Sequence, residues 1–273
     1  MRGVGVSHGA VSVMNAIPCG VGSTIGINLR TKATFEDNDK KKIILVGRPR
    51  TGTMLAETCV KRTMERIGQE VNDNYILKIR TDIPPSMGLK SSSSVCNAVI
   101  SAVLNAYGEK MEIIDIIKLG VECAKECKVT ITGAFDDACG CGLGGLVVTN
   151  NSKNELILRK EIPVYDVVIC VPNRSIPKSK VPVERYRELS GKYSEMVPRI
   201  EDDYLNVLTE NGRCVENIIG QSSGLSEKAL EAGALAAGIT GTGPATAVIV
   251  ERGEGKKMAE TLGCKTILAK TRC

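Results

Sequence analysis

The stretch Pro84-Pro85-Ser86-Met87-Gly88-Leu89-Lys90-Ser91-Ser92-Ser93-Ser94 decides how the rest of the chain is read. Its two prolines and glycine forbid a regular element in the first half. Directly behind the serines, Val95, Val99, Val103 and Ala106 recur at helical spacing until Gly108 stops the run. The segment is therefore a loop delivered onto a helix N-terminus, where unpaired N–H groups and a partial positive charge are exposed. A glycine lets backbone approach an anion and serines add hydroxyl donors, so residues 84–94 form a candidate phosphate cradle. A serine-rich N-cap is the plainer alternative, although one serine suffices for a cap. No GxxxxGK[ST] occurs, so the loop is not of the Walker type.

Outward from this loop, strand and helix patterns interleave. GVGVSHGAVSVMNAI and IGINLRTKATF alternate at strand period, Ile43–Val46 is a short strand, Gly52–Gly68 a helix and Tyr75–Thr81 a strand. On the other side, Glu112–Cys127 reads as a helix, and a glycine-rich stretch from Gly133 to Gly145 leads into the strand Leu146–Asn150. The polar run NNSKN at 150–154 is the best boundary, giving lobes 1–152 and 153–273. Beyond it come strands Leu156–Lys160 and Val167–Val171, then a basic loop Arg174–Pro182. Helices follow at Ser194–Thr209, Val215–Ile219 and Ser226–Ala237. A glycine loop Gly238–Pro244, the strand Ala245–Val250, a helix near Lys256–Leu262 and the strand Thr266–Ala269 finish the chain. The fold class is α+β in two lobes.

Three further constellations carry chemistry. Gly133-Ala134-Phe135-Asp136-Asp137-Ala138 sets two adjacent acids in an uncharged stretch, where burial is costly unless they are paired or liganded. They could hold Mg²⁺ or accept a hydroxyl proton, or Asp could simply cap a turn. Gly238-Ile239-Thr240-Gly241-Thr242-Gly243-Pro244 brings backbone close to a ligand, to another loop or into a tight hairpin. His8, the single histidine, is flanked by Gly9 in an extended segment; it is either structural or a substrate contact.

Composition excludes several classes. Hydrophobic residues at 42% and charged residues at 25% fit a folded globular chain rather than a disordered one. No apolar run reaches the roughly 18 residues of a membrane span, and MRGVGVSHGA lacks the apolar core of a secretory signal. Lys+Arg 36 against Asp+Glu 31 leaves +5, which suits an anionic substrate. With no Trp and two Phe, stacking platforms for nucleic acid are poorly supplied. Eleven scattered cysteines, an odd count, argue against a disulfide framework and for free thiols in a reducing cytoplasm. The expectation is a cytoplasmic protein with a small-molecule partner, no nucleic acid and no membrane; no oligomeric state is read from these residues.

PPSMGLKSSSS resembles the second motif of the GHMP kinases, approximately P-x-x-x-G-L-x-S-S-[AS]. GAFDDA is similar to the segment holding their catalytic Asp, and GITGTGPATAVIV to their third, glycine-rich motif. The three occur in the family's order over most of the chain. Within the superfamily, SHGA with its following Asn, together with TITGAFDDA and GLKSSS, resembles the archaeal-type shikimate kinases. That resemblance implies a two-lobed GHMP-kinase-like fold, with the phosphate loop in an N-terminal lobe and a ferredoxin-like C-terminal lobe. It implies ATP and Mg²⁺ as cofactors and phosphorylation of the shikimate 3-hydroxyl. Another GHMP kinase such as homoserine kinase, or a non-catalytic nucleotide-binding protein, is the alternative.

The resemblance also implies roles. Pro84, Pro85, Ser86, Met87, Gly88, Leu89, Lys90, Ser91, Ser92, Ser93 and Ser94 would bind ATP phosphates, with Gly241 and Gly243 packed beside them. Ser92 and Glu126 would be Mg²⁺ ligands, with Glu122 as rival to Glu126. Asp136 matches the catalytic Asp, while Asp137 stands where relatives often carry Asn, so both acids stay in the catalytic set. Shikimate carries a carboxylate and needs a fixed cation: Arg174, Lys178, Lys180, Arg2 and His8 are the candidates, and a guanidinium's bidentate geometry favours Arg174.

Overall fold

Two long strands, β1 (Arg2–Met14) and β2 (Val21–Asp37), pair antiparallel and organise the first lobe. The computed structural model describes residues 1–47, 52–174, 176, 180–220 and 224–273. The far half of β2 pairs with β4 (Tyr75–Thr81), which pairs in parallel with β3 (Lys42–Leu45). Its near half pairs with β5 (Leu146–Asn150), and β5 with β6 (Glu155–Lys160). The resulting sheet is six-stranded. It therefore runs on to Lys160, past the boundary expected at 152/153. Helices α1 (Met54–Arg66), α2 (Ser91–Tyr107) and α3 (Ile113–Glu126) cover it over a core of Phe35, Met64, Leu77, Ile79, Val99 and Val103.

The second sheet has the order β10-β7-β9-β8 and is antiparallel. Its strands are β7 (Asp166–Cys170), β8 (Ala236–Ile239), β9 (Thr246–Val250) and β10 (Thr266–Lys270). With helices between β7 and β8 and between β9 and β10, this is the ferredoxin-like βαββαβ arrangement. One face packs on α8 (Leu225–Glu231) and α9 (Gly255–Leu262) through Val168, Val248, Ala229 and Met258. The other, through Val167, Ile169 and Ile249, shares a core with Val11, Val13 and Met14 of β1. Helices thus lie on both faces, because α6 (Ser190–Met196) and α7 (Ile200–Ile219) supply Tyr193, Met196, Val207 and Leu208 to that shared core. A short α5 (Val183–Arg187) precedes them. The chain end returns to the first lobe, where the Arg272 N–H donates to Gly26 O and the Gly145 N–H to Arg272 O.

Three sequence expectations differ from the structure. The glycine-rich stretch after Gly133 contains a helix, α4 (Phe135–Leu143). Glycine costs a helix about 1 kcal/mol against alanine, but close packing needs it here: a Cβ on Gly140 would fall 2.2 Å from Thr24 Oγ1. The helix expected over Ser226–Ala237 stops at Glu231, and Ala236–Ile239 pairs with β9 although AGALAAG reads as helical. Burial on both faces of that strand overrides alanine's propensity. The helices expected at Ser194–Thr209 and Val215–Ile219 are divided differently, into α6 and one long α7 kinked at Asp203.

Candidate active site

α2 opens without a side-chain cap. Its N-cap residue, Lys90, is left-handed at φ 65°, as Ser86 and Gly88 are before it, and makes no capping hydrogen bond. The first ladder bond runs from Ser94 N–H to Lys90 O at 3.0 Å, so the N–H groups of Ser91, Ser92 and Ser93 lie ahead of the ladder. A cavity opens in front of them, lined by Pro84, Ser86, Gly88, Leu89, Lys90, Ser91, Ser92 and Ser93 on one side. Asp137, Thr130, Ile176, Gly241, Thr242 and Gly243 line the other.

The second lobe's glycine loop is clamped onto the phosphate loop. A Cβ on Gly88, itself at φ +77°, would fall 1.9 Å from Thr240 O. Thr240 Oγ1 accepts from the Ser12 N–H at 2.9 Å and donates to Gly88 O at 3.1 Å. One hydroxyl thus joins β1, the loop before α2 and the loop after β8.

The adjacent acids face different surroundings. Asp137 Oδ1 lies 2.7 Å from Lys90 Nζ, and that ammonium also donates to Ser12 Oγ at 2.7 Å. The lysine side chain is only 4% exposed, so the pair is largely screened from water. Asp137 also stands in the first turn of α4, where the helix dipole favours negative charge. Asp136 turns inward. Its Oδ1 accepts from Asn151 Nδ2 at 2.7 Å, its N–H donates to Asn151 Oδ1, and a Cβ on Gly22 would strike its Oδ2 at 2.4 Å. Burial first, and the charge of Asp137 second, push Asp136 up to about 6, against the opposing pull of Lys90 and Asn151.

Two side chambers adjoin the cavity. One is apolar, built from Leu45, Val46, Leu55, Ile79, Pro85, Val95 and Val129 and sharing Ser86, Ser91 and Ser92 with the phosphate cavity. The other is a small polar cleft lined by Asn15, Ala16, Ile17, Thr130, Thr132, Asp136, Asp137, Lys90, Gly241 and Thr242.

The structure brings together most, but not all, of the expected site. Pro85 lines the apolar chamber rather than the phosphate cavity. Met87 packs against the shared core, and Ser94 is turned inward to donate to Thr31 Oγ1 at 2.8 Å. Gly241 and Gly243 line the cavity as expected. Glu126 does not: it is paired with Arg62 at 2.7 Å, and its rival Glu122 with Arg66, on the surface between α3 and α1. The inward face of α3 is taken by Ile117, Val121 and Ala124, so residues four apart on the other face turn to solvent.

His8 sits half-buried on β1 beside Arg30 and Arg272, outside the lining of all three chambers. Burial first, then those two cations, hold it down to about 4. Arg2 pairs with Glu36 instead. Arg174 is exposed, two residues before Ile176, which lines the phosphate cavity; Lys180 is exposed, and Lys178 lies outside the described residues.

Ser12, Asn15, Thr130, Thr132 and Asn151 reach the site although the sequence reading gave none of them a role; Asn15, Thr130 and Thr132 lay within the stretches that carry the family resemblance. Isolated polar residues inside apolar runs, as in SVMNAI and VTIT, are the local signal that marks Ser12, Asn15, Thr130 and Thr132. For a nucleotide, the fit is good: Thr130 Oγ1 is buried on the cavity wall without a hydrogen-bond partner, the open N–H groups face the same space, and an apolar chamber adjoins it. For a metal, no trio of His, Cys, Asp or Glu converges among the described residues. That donor set fits an ion carried mainly by phosphate oxygens, as Mg²⁺ commonly is. All eleven cysteines are free thiols, eight of them buried. No helix among the described residues is long and apolar enough to cross a membrane.

Comparison with known proteins gives a consistent picture. Residues 54–145 match the family model described as GHMP kinases N terminal domain. The shikimate kinase of Methanothrix thermoacetophila is 38% identical, over 98% of this chain and 93% of that protein. The shikimate kinase of Methanosarcina acetivorans is also 38% identical, over 94% and 88%. The crystal structure of Methanococcus jannaschii mevalonate kinase superposes with a TM-score of 0.79 over 100% of this chain and 99% of that one, at 14% identity, a likeness of fold.

Proposed function

We infer, from a chain that belongs to the archaeal-type shikimate kinases of the GHMP kinase superfamily, that it transfers the terminal phosphoryl group of ATP to the 3-hydroxyl of shikimate. The observation that carries the chemistry is the pair of buried Lys90 and partly buried Asp137 at the mouth of α2. We assign the base to Asp137, because it lines the phosphate cavity whereas Asp136 does not.

The residues divide the work as phosphoryl transfer requires, mostly by positioning and charge. The N–H groups of Ser91–Ser93 receive the phosphates, and the apolar chamber suits the base of the nucleotide. Ser92 Oγ is the protein group that would hold Mg²⁺, whose chemistry there would be neutralisation of phosphate charge. The acceptor hydroxyl approaches from the polar cleft. As its oxygen bonds to phosphorus and the bridging oxygen leaves with ADP, its proton passes to Asp137. Lys90 holds that carboxylate in place and balances its charge. Asp136 and Asn151 anchor the turn that presents Asp137. Thr130, Thr132, Thr242 and Asn15 give the cleft the hydroxyl and amide character a polyol needs. For the shikimate carboxylate, Arg174 is the proposed partner, since Ile176, two residues on, lines the phosphate cavity.

The test is ADP release with Mg²⁺-ATP and shikimate, homoserine, mevalonate or galactose offered separately. Release with shikimate alone is expected. Release with a different acceptor alone would keep the mechanism and discard the substrate.

A further inference from the structure

In the polar cleft, Asn15 has its side-chain donors engaged and its amide oxygen unused among the described residues. Asn15 follows β1. Its main-chain N–H donates to Asn211 Oδ1 at 3.0 Å. Its side-chain Nδ2 donates to the same oxygen at 3.2 Å and to Gly241 O at 3.0 Å. The main-chain N–H and both amide hydrogens are therefore spent. Its Oδ1 accepts nothing from the described residues, yet it is not among the sealed polar atoms, and Asn15 lines the cleft. An amide oxygen can only accept, and the cleft that Asn15 lines is the one read above as the acceptor site.

Asn211 belongs to α7, outside every motif of the phosphate site, and is fully buried. Its Oδ1 takes a third hydrogen bond, from Tyr193 OH of α6 at 3.1 Å. A main-chain N–H can only donate, so the atom facing it must be oxygen, and the amide orientation follows from that contact. The partner atom, Asn211 Nδ2, is buried without any hydrogen-bond partner. A buried polar group left unpaired is costly, so the orientation is held by what Oδ1 does.

We propose that Asn15 Oδ1 accepts a hydrogen bond from a non-reacting hydroxyl of the acceptor, and that Asn211, braced by Tyr193, is the positioning residue that aims it. The second lobe thereby sets acceptor recognition in the first through two side chains rather than through the glycine loop alone. The inference rests on the reading of the polar cleft as the acceptor site.

Steady-state kinetics with both substrates varied would test it, on variants whose melting temperatures show that they fold. Asn15→Ala should raise the acceptor KM at least ~10-fold while the ATP KM stays within about twofold. Asn211→Leu should do the same, and Asn211→Asp, which keeps the accepting oxygen, should recover most of the loss. Either 4-deoxy- or 5-deoxyshikimate should be handled equally well by wild type and Asn15→Ala, since it lacks the hydroxyl in question. An unchanged acceptor KM in folded Asn15→Ala overturns the proposal, as does an equal rise in the ATP KM. If Asn211→Leu fails to fold, Asn15→Ala with the deoxy analogues still decides. Wild-type protein inactive on shikimate but active on another alcohol would refute the substrate reading, and the Asn15 comparison would then be run on that alcohol.

Discussion

Two pairs of acids were candidates for chemistry: Asp136–Asp137 at the start of α4, to hold a metal or accept a proton, and Glu122 and Glu126 on α3, as rivals for Mg²⁺ by family resemblance. The structure sends them to opposite environments. Glu122 and Glu126 are one helical turn apart on a solvent face, each satisfied by an arginine of α1. Asp136 and Asp137 are consecutive, so the turn into α4 points one inward to Asn151 and the other across the cavity to Lys90. An acid's chemistry is set by what its carboxylate faces and how much water it keeps. Spacing along the chain decides only whether two acids can share a face.

The sharpest way to break this comparison is to swap the two aspartates. Asp137→Asn should lower kcat at least ~100-fold with little change in the ATP KM, and Asp136→Asn should lose less. The reverse ranking in folded variants would return the base to Asp136. Next in size is the clasp that holds the cavity shut on its second-lobe side. Gly88→Ala places a Cβ against Thr240 O in a left-handed residue, a strain expected to cost about 2–4 kcal/mol in urea unfolding. A stability loss within error of zero would mean that the two loops are not in contact.

A smaller effect separates Asp136 from His8 by sign. Asp136 at about 6, against an ordinary 3.8, holds a proton in the folded chain that the unfolded chain has released. Its contribution to stability therefore falls as pH rises from about 4 to about 6. His8 at about 4, against 6.5, refuses a proton that the unfolded chain accepts, so its contribution rises from about pH 4 to about 6.5. Asp136→Asn should accordingly leave a stability that climbs with pH across this window, and His8→Gln one that declines. Unfolding curves near both ends of the window check this, and slopes of the same sign would contradict it. The smallest effect belongs to the surface pair. Arg62 and Glu126 side chains are 44% and 42% exposed, so Glu126→Gln should change stability by under ~1 kcal/mol. The Mg²⁺ dependence of turnover should not move. A tenfold higher Mg²⁺ requirement would place Glu126 on the metal after all.

Much of this architecture was legible because it rests on local signals. The loop 84–94 was readable from its prolines, glycine and serines followed by a helical repeat, and β1, β2 and β4 from their alternation. The ferredoxin-like lobe, and the expectation that the aspartates are catalytic, came from family resemblance. α4 was missed because its glycines argue against a helix locally, and their reason is the thickness of the contact with β2. The strand Ala236–Ile239 was missed because alanine favours a helix until both faces are buried.

What the sequence alone determined is therefore the α+β class, most of the first lobe's strands and helices, the loop that opens α2 and the residue types available for chemistry, since these depend on neighbours along the chain. Which aspartate meets Lys90, that Glu126 stays on the surface, that Ser12 meets Lys90 and that Asn211 meets Asn15 were decided only by tertiary structure. Those contacts join residues 12, 15, 90, 137 and 211. Separations that long leave no periodic trace in a sequence, because the distance between such groups is set by how sheets and helices pack and not by the chain between them.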